Sequence, residues 1–338
     1  YQMAAEQGSY RAQNNLGYMY EKGKGIPKDE IKAFQWYLLS AEQGNAKAQN
    51  TVGNKYYWGK GIEKNYQLAI KYYLLSADQG NDGAQKSLGY MYAKGKGVVK
   101  DEQEALRWYL LSAEQGNSSA QNTVGNNYYS GKGTVKDYNE ALRWYKLSAN
   151  QGNAWAQYNL AGMYSKGKGV IENDQEAVKW YRLSADKGNS WSQNALGNMY
   201  YRGEGIEQNF QEAIKWYRLS AEKKYSWAQY NLGNIYDTGK GVVQDNQEAV
   251  KWYKLAAKRG NKKAQYRLGL KYKEGSGVEK SNIYAHMWLN IAASRNYKEA
   301  PKALDELAST MKESDIDKAT QLADSCKKTK YHSCSIEN

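Results

Sequence analysis

The sequence predicts an all-α chain: a right-handed α/α superhelical solenoid of helix-pair repeats with a 36-residue period, closed by a C-terminal helical cap. Three observations carry this. Segments beginning at Ala12, Ala48, Ala84, Ala120, Ala156, Ser192, Ala228 and Ala264 align at a constant spacing of 36 residues with no insertion, and a fixed period of that size marks a repeat array. Apolar residues recur in each unit at i, i+4 and i+8, while valine, isoleucine and threonine form no alternating runs, so helix is favoured over sheet. The chain holds 32 glycines against 2 prolines, so its turns rest on glycine. The boundaries that follow are the end of a preceding repeat helix at 1–11, eight repeats over 12–299, and a helical cap and tail at 300–338.

The first helix of each unit reads Ala-Gln-x-x-Leu-Gly-x-x-Tyr, as in residues 84–92. Its tyrosine is present in all eight units, at Tyr20, Tyr56, Tyr92, Tyr128, Tyr164, Tyr200, Tyr236 and Tyr272. The small residue beside it is glycine in seven units and Ala161 in the fifth. A helical glycine costs up to roughly 1 kcal/mol, which is explicable if another helix approaches closely there. A Gly-x-Gly loop then ends the helix, because glycine accepts the left-handed conformation of a C-terminal cap. Eight copies at one position are punctuation, and no strand precedes them, so a phosphate cradle is not expected.

The second helix starts at a residue suited to N-capping: Asp29, Asn65, Asp101, Asp137, Asn173, Asn209, Asp245 and Ser281. Five units place glutamate three residues later (Glu104, Glu140, Glu176, Glu212, Glu248), the spacing of a capping box. The helix carries Ala-x-x-Trp-Tyr-x-x-x-Ala, as in residues 177–185, and usually ends at Gly-Asn. The glycine stops one helix and the asparagine caps the next. One repeat cannot bury this aromatic face alone, so the stack must do it cooperatively.

These elements in register resemble the Sel-one-like repeat family, helix-pair relatives of the tetratricopeptide repeats. Three departures stand out: Ala161-Gly162 shifts the glycine by one, Tyr72 replaces tryptophan, and Lys223-Lys224-Tyr225 replaces the Gly-Asn turn. The last puts a standard turn between the sixth and seventh repeats in doubt and is expected to bend the stack locally. After Pro301 the pattern stops, and two amphipathic helices are expected, the second capped by Ser314.

Cys326 and Cys334 are the two cysteines, read either as unpaired thiols or as a local disulfide pinning the tail. A bond would imply an oxidising compartment, most simply the periplasm or exterior of a bacterium. The opening Tyr1-Gln2-Met3-Ala4 matches the interior of a repeat helix, so any signal peptide is expected upstream, removed from a periplasmic or secreted protein. No apolar run reaches the roughly 18 to 20 residues of a membrane span, so no membrane insertion is expected.

Packing consumes the framework positions, so function is sought where repeats differ. On the first helix that face comprises the residue before the aligned alanine and those two, six, nine and ten after it. It gathers Trp155, Trp191 and Trp227 at one level, Tyr158, Tyr230 and Tyr266 at a second, Tyr57, Tyr129 and Tyr201 at a third, with Asn194, Asn198 and Asn234 between. Tyrosine, tryptophan and asparagine give large contact area at low ordering cost. Two readings stand: packing between repeats, or a partner-binding concave groove centred on repeats five to seven. Units one and three share Gly-Tyr-Met-Tyr, while two and four share Gln-Asn-Thr-Val-Gly-Asn, a 72-residue super-period.

The net charge of +13 has a locatable stripe: Lys24, Lys60, Lys96, Lys132, Lys168 and Lys240 in the loops, and Lys71, Arg107, Arg143, Lys179, Lys215 and Lys251 on the second helix. Five of the latter follow a capping glutamate by three residues, so a solvated face or an acidic protein partner is expected ahead of nucleic acid. The histidines are His286 and His332, the former read as a surface residue, and no metal-ligand or nucleophile constellation appears. No cofactor is expected. The reading is a non-enzymatic adaptor that binds a protein. The alternatives are an immunity protein neutralising an antibacterial effector such as a phospholipase toxin, a hydrolase acting on cell-wall or antibiotic substrates, and a nucleic-acid binder.

Overall fold

The computed structural model describes residues 1–331 and Cys334, and His332 lies outside them. Among the described residues there are nineteen helices and no strand. The chain divides into two compact units, Tyr1–Glu172 and Asn173–Asn338, with the division in the loop of the fifth repeat. The first unit holds α1 (Gln2–Glu6), α2 (Tyr10–Lys22), α3 (Glu30–Glu42), α4 (Ala46–Trp58), α5 (Tyr66–Ala77), α6 (Asp82–Lys94), α7 (Glu102–Glu114), α8 (Ser118–Ser130), α9 (Tyr138–Asn150) and α10 (Ala154–Tyr164). The second holds α11 (Asp174–Asp186), α12 (Ser190–Arg202), α13 (Phe210–Glu222), α14 (Ser226–Thr238), α15 (Asn246–Lys258), α16 (Lys262–Glu274), α17 (Asn282–Ser294), α18 (Ala300–Ala308) and α19 (Glu313–Lys328). Within each unit consecutive helices pack on one another as far as α17, and α18 and α19 both pack on α17.

The helical glycine is a seat for an aromatic ring. A Cβ on Gly53 would meet the Tyr73 ring at 2.6 Å, and the tyrosine that follows the tryptophan position is buried in every repeat that has one. The tryptophans are less constant: Trp108, Trp144 and Trp216 are buried, whereas Trp36, Trp180 and Trp252 are half-buried. The second loop glycine serves packing too. Gly61 has φ 74°, and a Cβ there would stand 2.0 Å from the Glu30 carbonyl oxygen of the preceding repeat.

Buried polar side chains close the accounts of the helix ends. Ser40, Ser76, Ser112 and Ser148 are fully buried, and each hydroxyl donates to a carbonyl in the first turn of the helix thirty residues back, at 2.6–2.8 Å. The Gln of each Ala-Gln pair donates to a carbonyl eight residues back, as Gln49 does to Ala41 at 3.1 Å. That carbonyl lies in the last turn of the preceding helix, where no i+4 amide reaches it, and it accepts the glutamine beside the amide of the turn residue three further on, as Ala41 accepts from Gly44 at 3.0 Å.

Three expectations are corrected. Asp101, Asp137, Asn209 and Asp245 do cap their helices, but the reciprocal half of the capping box is absent. Their own amides donate to the carbonyls of Tyr92, Tyr128, Tyr200 and Tyr236 at 2.9–3.0 Å, so the glutamates turn instead to the basic residue three further on, as Glu140 does to Arg143 at 2.9 Å. The turn at Lys223-Lys224-Tyr225 is standard, because Lys224 takes the left-handed conformation (φ 66°) that glycine supplies elsewhere. The Lys224 and Tyr225 amides keep the usual bonds to Ala221 and Ser220. Ser314 is not a cap: α19 starts at Glu313 after Lys312, with no side-chain cap bond.

Cys326 and Cys334 form a disulfide in the core cluster that joins α17, α18 and α19.

Candidate protein-binding wall

The stripe of alanine, leucine and tyrosine on each first helix faces inward, which leaves the opposite residues to form a wall. In the second unit, α12, α14 and α16 supply it. Trp191 and Trp227 are 44% and 41% exposed. The Trp227 ring meets Tyr230 edge-on at 6.4 Å, and the Lys263 ammonium lies 5.6 Å from the Trp227 ring centre and 5.9 Å from that of Tyr230. Trp191 leans on Tyr225 at 5.2 Å, and half-buried Tyr266 packs against Tyr297 at 4.9 Å.

Not all the residues read from the sequence stand alike on this wall. Asn194 is buried and accepts from Asn231 at 2.9 Å. Asn198 accepts from the Tyr217 hydroxyl at 2.8 Å and from Asn231 at 3.2 Å. Both therefore tie repeats together. Tyr201 packs against Phe210 at 5.4 Å beneath the Lys240 ammonium, and Asn234 is half-buried.

In the first unit, Trp155 is 50% exposed and meets Tyr158 edge-on at 6.2 Å; burial pushes the Tyr158 hydroxyl up. Tyr129 packs on Tyr138 at 5.2 Å and Tyr57 on Tyr66 at 5.4 Å. The position nine after the aligned alanine thus carries a ring seated on the first residue of the next helix in repeats two, four and six, where the 72-residue super-period places aromatics.

Sequence reasoning missed Trp58, Tyr90 and Tyr18. Trp58 is 65% exposed and, with Asn54, Tyr57, Lys86, Tyr90 and Met91, lines a hollow of about 380 Å³ on the wall of α4, α6 and α8. It also lines a second hollow of about 300 Å³ toward α2, with Tyr18, Glu21, Lys22 and Lys60. These residues occupy the same non-framework positions, six and ten after the aligned alanine. Recurrence along the chain singled out the tryptophan column instead, and recurrence does not report exposure.

The chemistry of the wall is that of contact and hydrogen bonding. Burial, with the hydrogen bond to Tyr90 second, pushes the Tyr57 hydroxyl up to about 12. Burial likewise raises Tyr73, Tyr109, Tyr145 and Tyr217, and the hydroxyls of Tyr73, Tyr145 and Tyr217 donate to Asn54, Asn126 and Asn198. Loop lysines rest on rings, as Lys96 does on Tyr66 and Lys168 on Tyr138. His286 is buried, at 4% exposure, which corrects its reading as a surface residue. On α17 the outward face is covered by α18 and α19, and burial lowers the pKa of the imidazole. Among the described residues no group of three or more His, Cys, Asp or Glu side chains could hold a metal ion, and no helix is long and apolar enough to cross a membrane.

A model of the Sel1 repeat matches the chain eight times, at 11–45, 46–81, 83–117, 118–153, 156–189, 192–225, 228–261 and 262–297. The chain belongs to the Sel1 repeat family. Two solved structures agree. The Sel1 repeat protein from Oxalobacter formigenes is 31% identical, with a TM-score of 0.69, over 90% of this chain and 88% of that one. The protein c5321, a protective antigen present in uropathogenic Escherichia coli strains, is 31% identical with a TM-score of 0.61, over 99% of this chain and 79% of that one. No curated protein matches. Sel1 repeat proteins are protein-interaction scaffolds, and the family is generally non-enzymatic.

Proposed function

We propose that this Sel1 repeat protein is an extracytoplasmic bacterial adaptor that holds a partner protein against its first-helix walls, with Trp191 and Trp227 as anchors on the second unit. The observation that carries this is the pair of exposed indoles one repeat apart, each kept upright by a neighbouring ring, at a position where other repeats hold Arg11, Lys47, Gly83, Ser119 and Lys263. Exposed tryptophans set against tyrosine are the residues that dominate interface energetics. Tyr230 and Tyr266 extend the surface on this unit; Trp155 and Tyr158 offer a similar pair on the first. The extracytoplasmic placement is supported by the Cys326–Cys334 disulfide, which persists in oxidising compartments, and by the resemblance to a protective antigen.

The test is capture of a partner from the host envelope with the parent chain and with a Trp191→Ala/Trp227→Ala variant. The variant is expected to keep its helicity and melting temperature and to lose the captured protein, each change weakening binding by more than about 2 kcal/mol. A loss of several degrees in melting temperature would show that the indoles serve packing. A captured enzyme, silenced in a one-to-one complex, would establish the immunity role instead.

A further inference from the structure

We infer that the 380 Å³ hollow on the wall of repeats two to four takes a bulky apolar anchor residue from an acidic peptide segment. This rests on the reading of the walls as polypeptide-binding surfaces and adds a site and a ligand chemistry to it. The hollow is floored by Met91 and walled by Tyr57, Trp58 and Tyr90, a mostly apolar concavity with a few polar groups at its margin, the usual form of a side-chain pocket. Trp58 forms the ridge shared with the second hollow toward α2, so an anchor seated in the first leaves the flanking chain running over the second.

The charge around it is one-sided. Between residues 46 and 100 nine lysines stand against Glu63, Asp78 and Asp82, which concentrates there the positive charge of the first unit. Lys86 lines the first hollow and Lys60 the second. Among the described residues no carboxylate lies at ion-pair distance from Lys47, Lys60 or Lys86. The carboxylates nearby are engaged: Glu21 accepts from the Tyr37 hydroxyl at 2.9 Å and sits 3.5 Å from Lys22, and Asp82 accepts from Asn117 at 2.7 Å. Lys55 is buried against Glu30 at 2.6 Å. An arriving acidic residue therefore gains partners that the protein has left without anions, whereas an arriving basic residue meets repulsion. The pocket form distinguishes this from a nucleic-acid track, since phosphates need a cationic stripe and give no use to a ring-walled hollow.

The probe is a fluorescein-labelled twelve-residue peptide of aspartate and glutamate with one central phenylalanine, followed by anisotropy with the whole chain. Saturable binding is expected, at least tenfold weaker when the phenylalanine is replaced by alanine and at least tenfold weaker when the acidic residues are replaced by lysine. The protein variants Trp58→Ala and Lys86→Glu are each expected to lose tenfold or more. Trp58 is exposed enough that its loss leaves the fold intact, and circular dichroism checks this. Binding that ignores the anchor, or that survives in both protein variants, overturns the inference. So does a failure of the peptide to bind while an oligothymidylate or phosphatidylglycerol vesicles bind and depend on Trp58. The Trp191→Ala/Trp227→Ala variant separates the two claims. If it loses its captured partner while the acidic peptide never binds, the adaptor reading stands and this inference falls. If acidic-peptide binding depends on Trp58 and Lys86 but no protein partner depends on Trp191 or Trp227, the reverse holds.

Discussion

The two units carry the same Ala-Gln element on their first helices, yet their glutamines are tied differently. In the first unit Gln43, Gln79, Gln115 and Gln151 each donate to the glutamine thirty residues earlier, Gln13, Gln49, Gln85 and Gln121, at 2.7–2.8 Å. Those glutamines in turn donate to the end of the preceding helix, so a relay of amides runs from repeat to repeat. In the second unit the corresponding residues are Lys187, Lys223, Arg259 and Arg295, and the buried Oε1 atoms of Gln193, Gln229 and Gln265 have no hydrogen-bond partner, as is already true of Gln157 on the last helix of the first unit. What the second unit has instead is a sealed end. Trp288, Met287, Leu289 and Ile291 are fully buried under α18 and α19, closed by the disulfide. One repeat sequence thus supports two ways of holding a stack together: a polar relay along it or an apolar plug at its end.

The comparison can be broken at the plug first. Trp288→Ala removes a fully buried indole and is expected to cost roughly 3 to 5 kcal/mol in denaturant unfolding, whereas Trp180→Ala, at a half-buried ring, should cost less. Reduction of Cys326–Cys334, which closes a loop of eight residues in sequence, is expected to remove roughly 2 to 3 kcal/mol on the chain-entropy account. Amide hydrogen exchange should place that loss in the second unit and leave the first unchanged. The relay is tested by transplanting it: Arg259→Gln would offer Gln229 its missing donor and is expected to stabilise by about 0.5 to 1.5 kcal/mol. Gln151→Ala, which cuts the relay in the first unit, should destabilise by a similar amount. If both are neutral, the relay carries no energy.

The smallest effect is one of pH. Burial lowers the His286 pKa, so in acid the unfolded chain binds a proton that the folded chain refuses. Stability is then complete above the unfolded value near 6.5 and declines as pH falls below it. Both histidines lie in the second unit, so unfolding followed from pH 7.5 to 5.5 should weaken that unit alone, and His286→Gln should flatten the decline. An equal decline in the first unit would point to another titrating group.

Most of the repeat was legible in order along the chain. The period, the capping residues from Asp29 to Ser281 and the glycine stops are local, and each acts through backbone conformation within a few residues of itself. What the sequence obscured is contact beyond the local turn, from nine residues away at the caps to thirty or more between repeats. It showed the capping glutamates but not that a tyrosine carbonyl had already taken the cap amide. It marked Lys223-Lys224-Tyr225 as irregular, although a lysine at φ 66° costs little enough for the packed turn to impose it. His286 looked like any second-helix surface position until two terminal helices covered it. The candidate wall was legible as a set of positions, and its occupants were not. Asn194 and Asn198 share the face with Trp191, yet they point their amides into a neighbouring repeat.

The sequence by itself determined that this chain is a Sel1-type stack, because a 36-residue rhythm of rings, small residues and left-handed glycines leaves no other way to bury the aromatic stripe. The tertiary structure alone decided which side chains remain for a partner. Exposure is set by what lies across the interface, one repeat away, and there a glutamine relay, a lysine on a ring or a C-terminal plug consumes residues that look identical in sequence. Trp58 stays 65% exposed, and Trp227 stays 41% exposed even with the Lys263 ammonium of the next repeat over its ring.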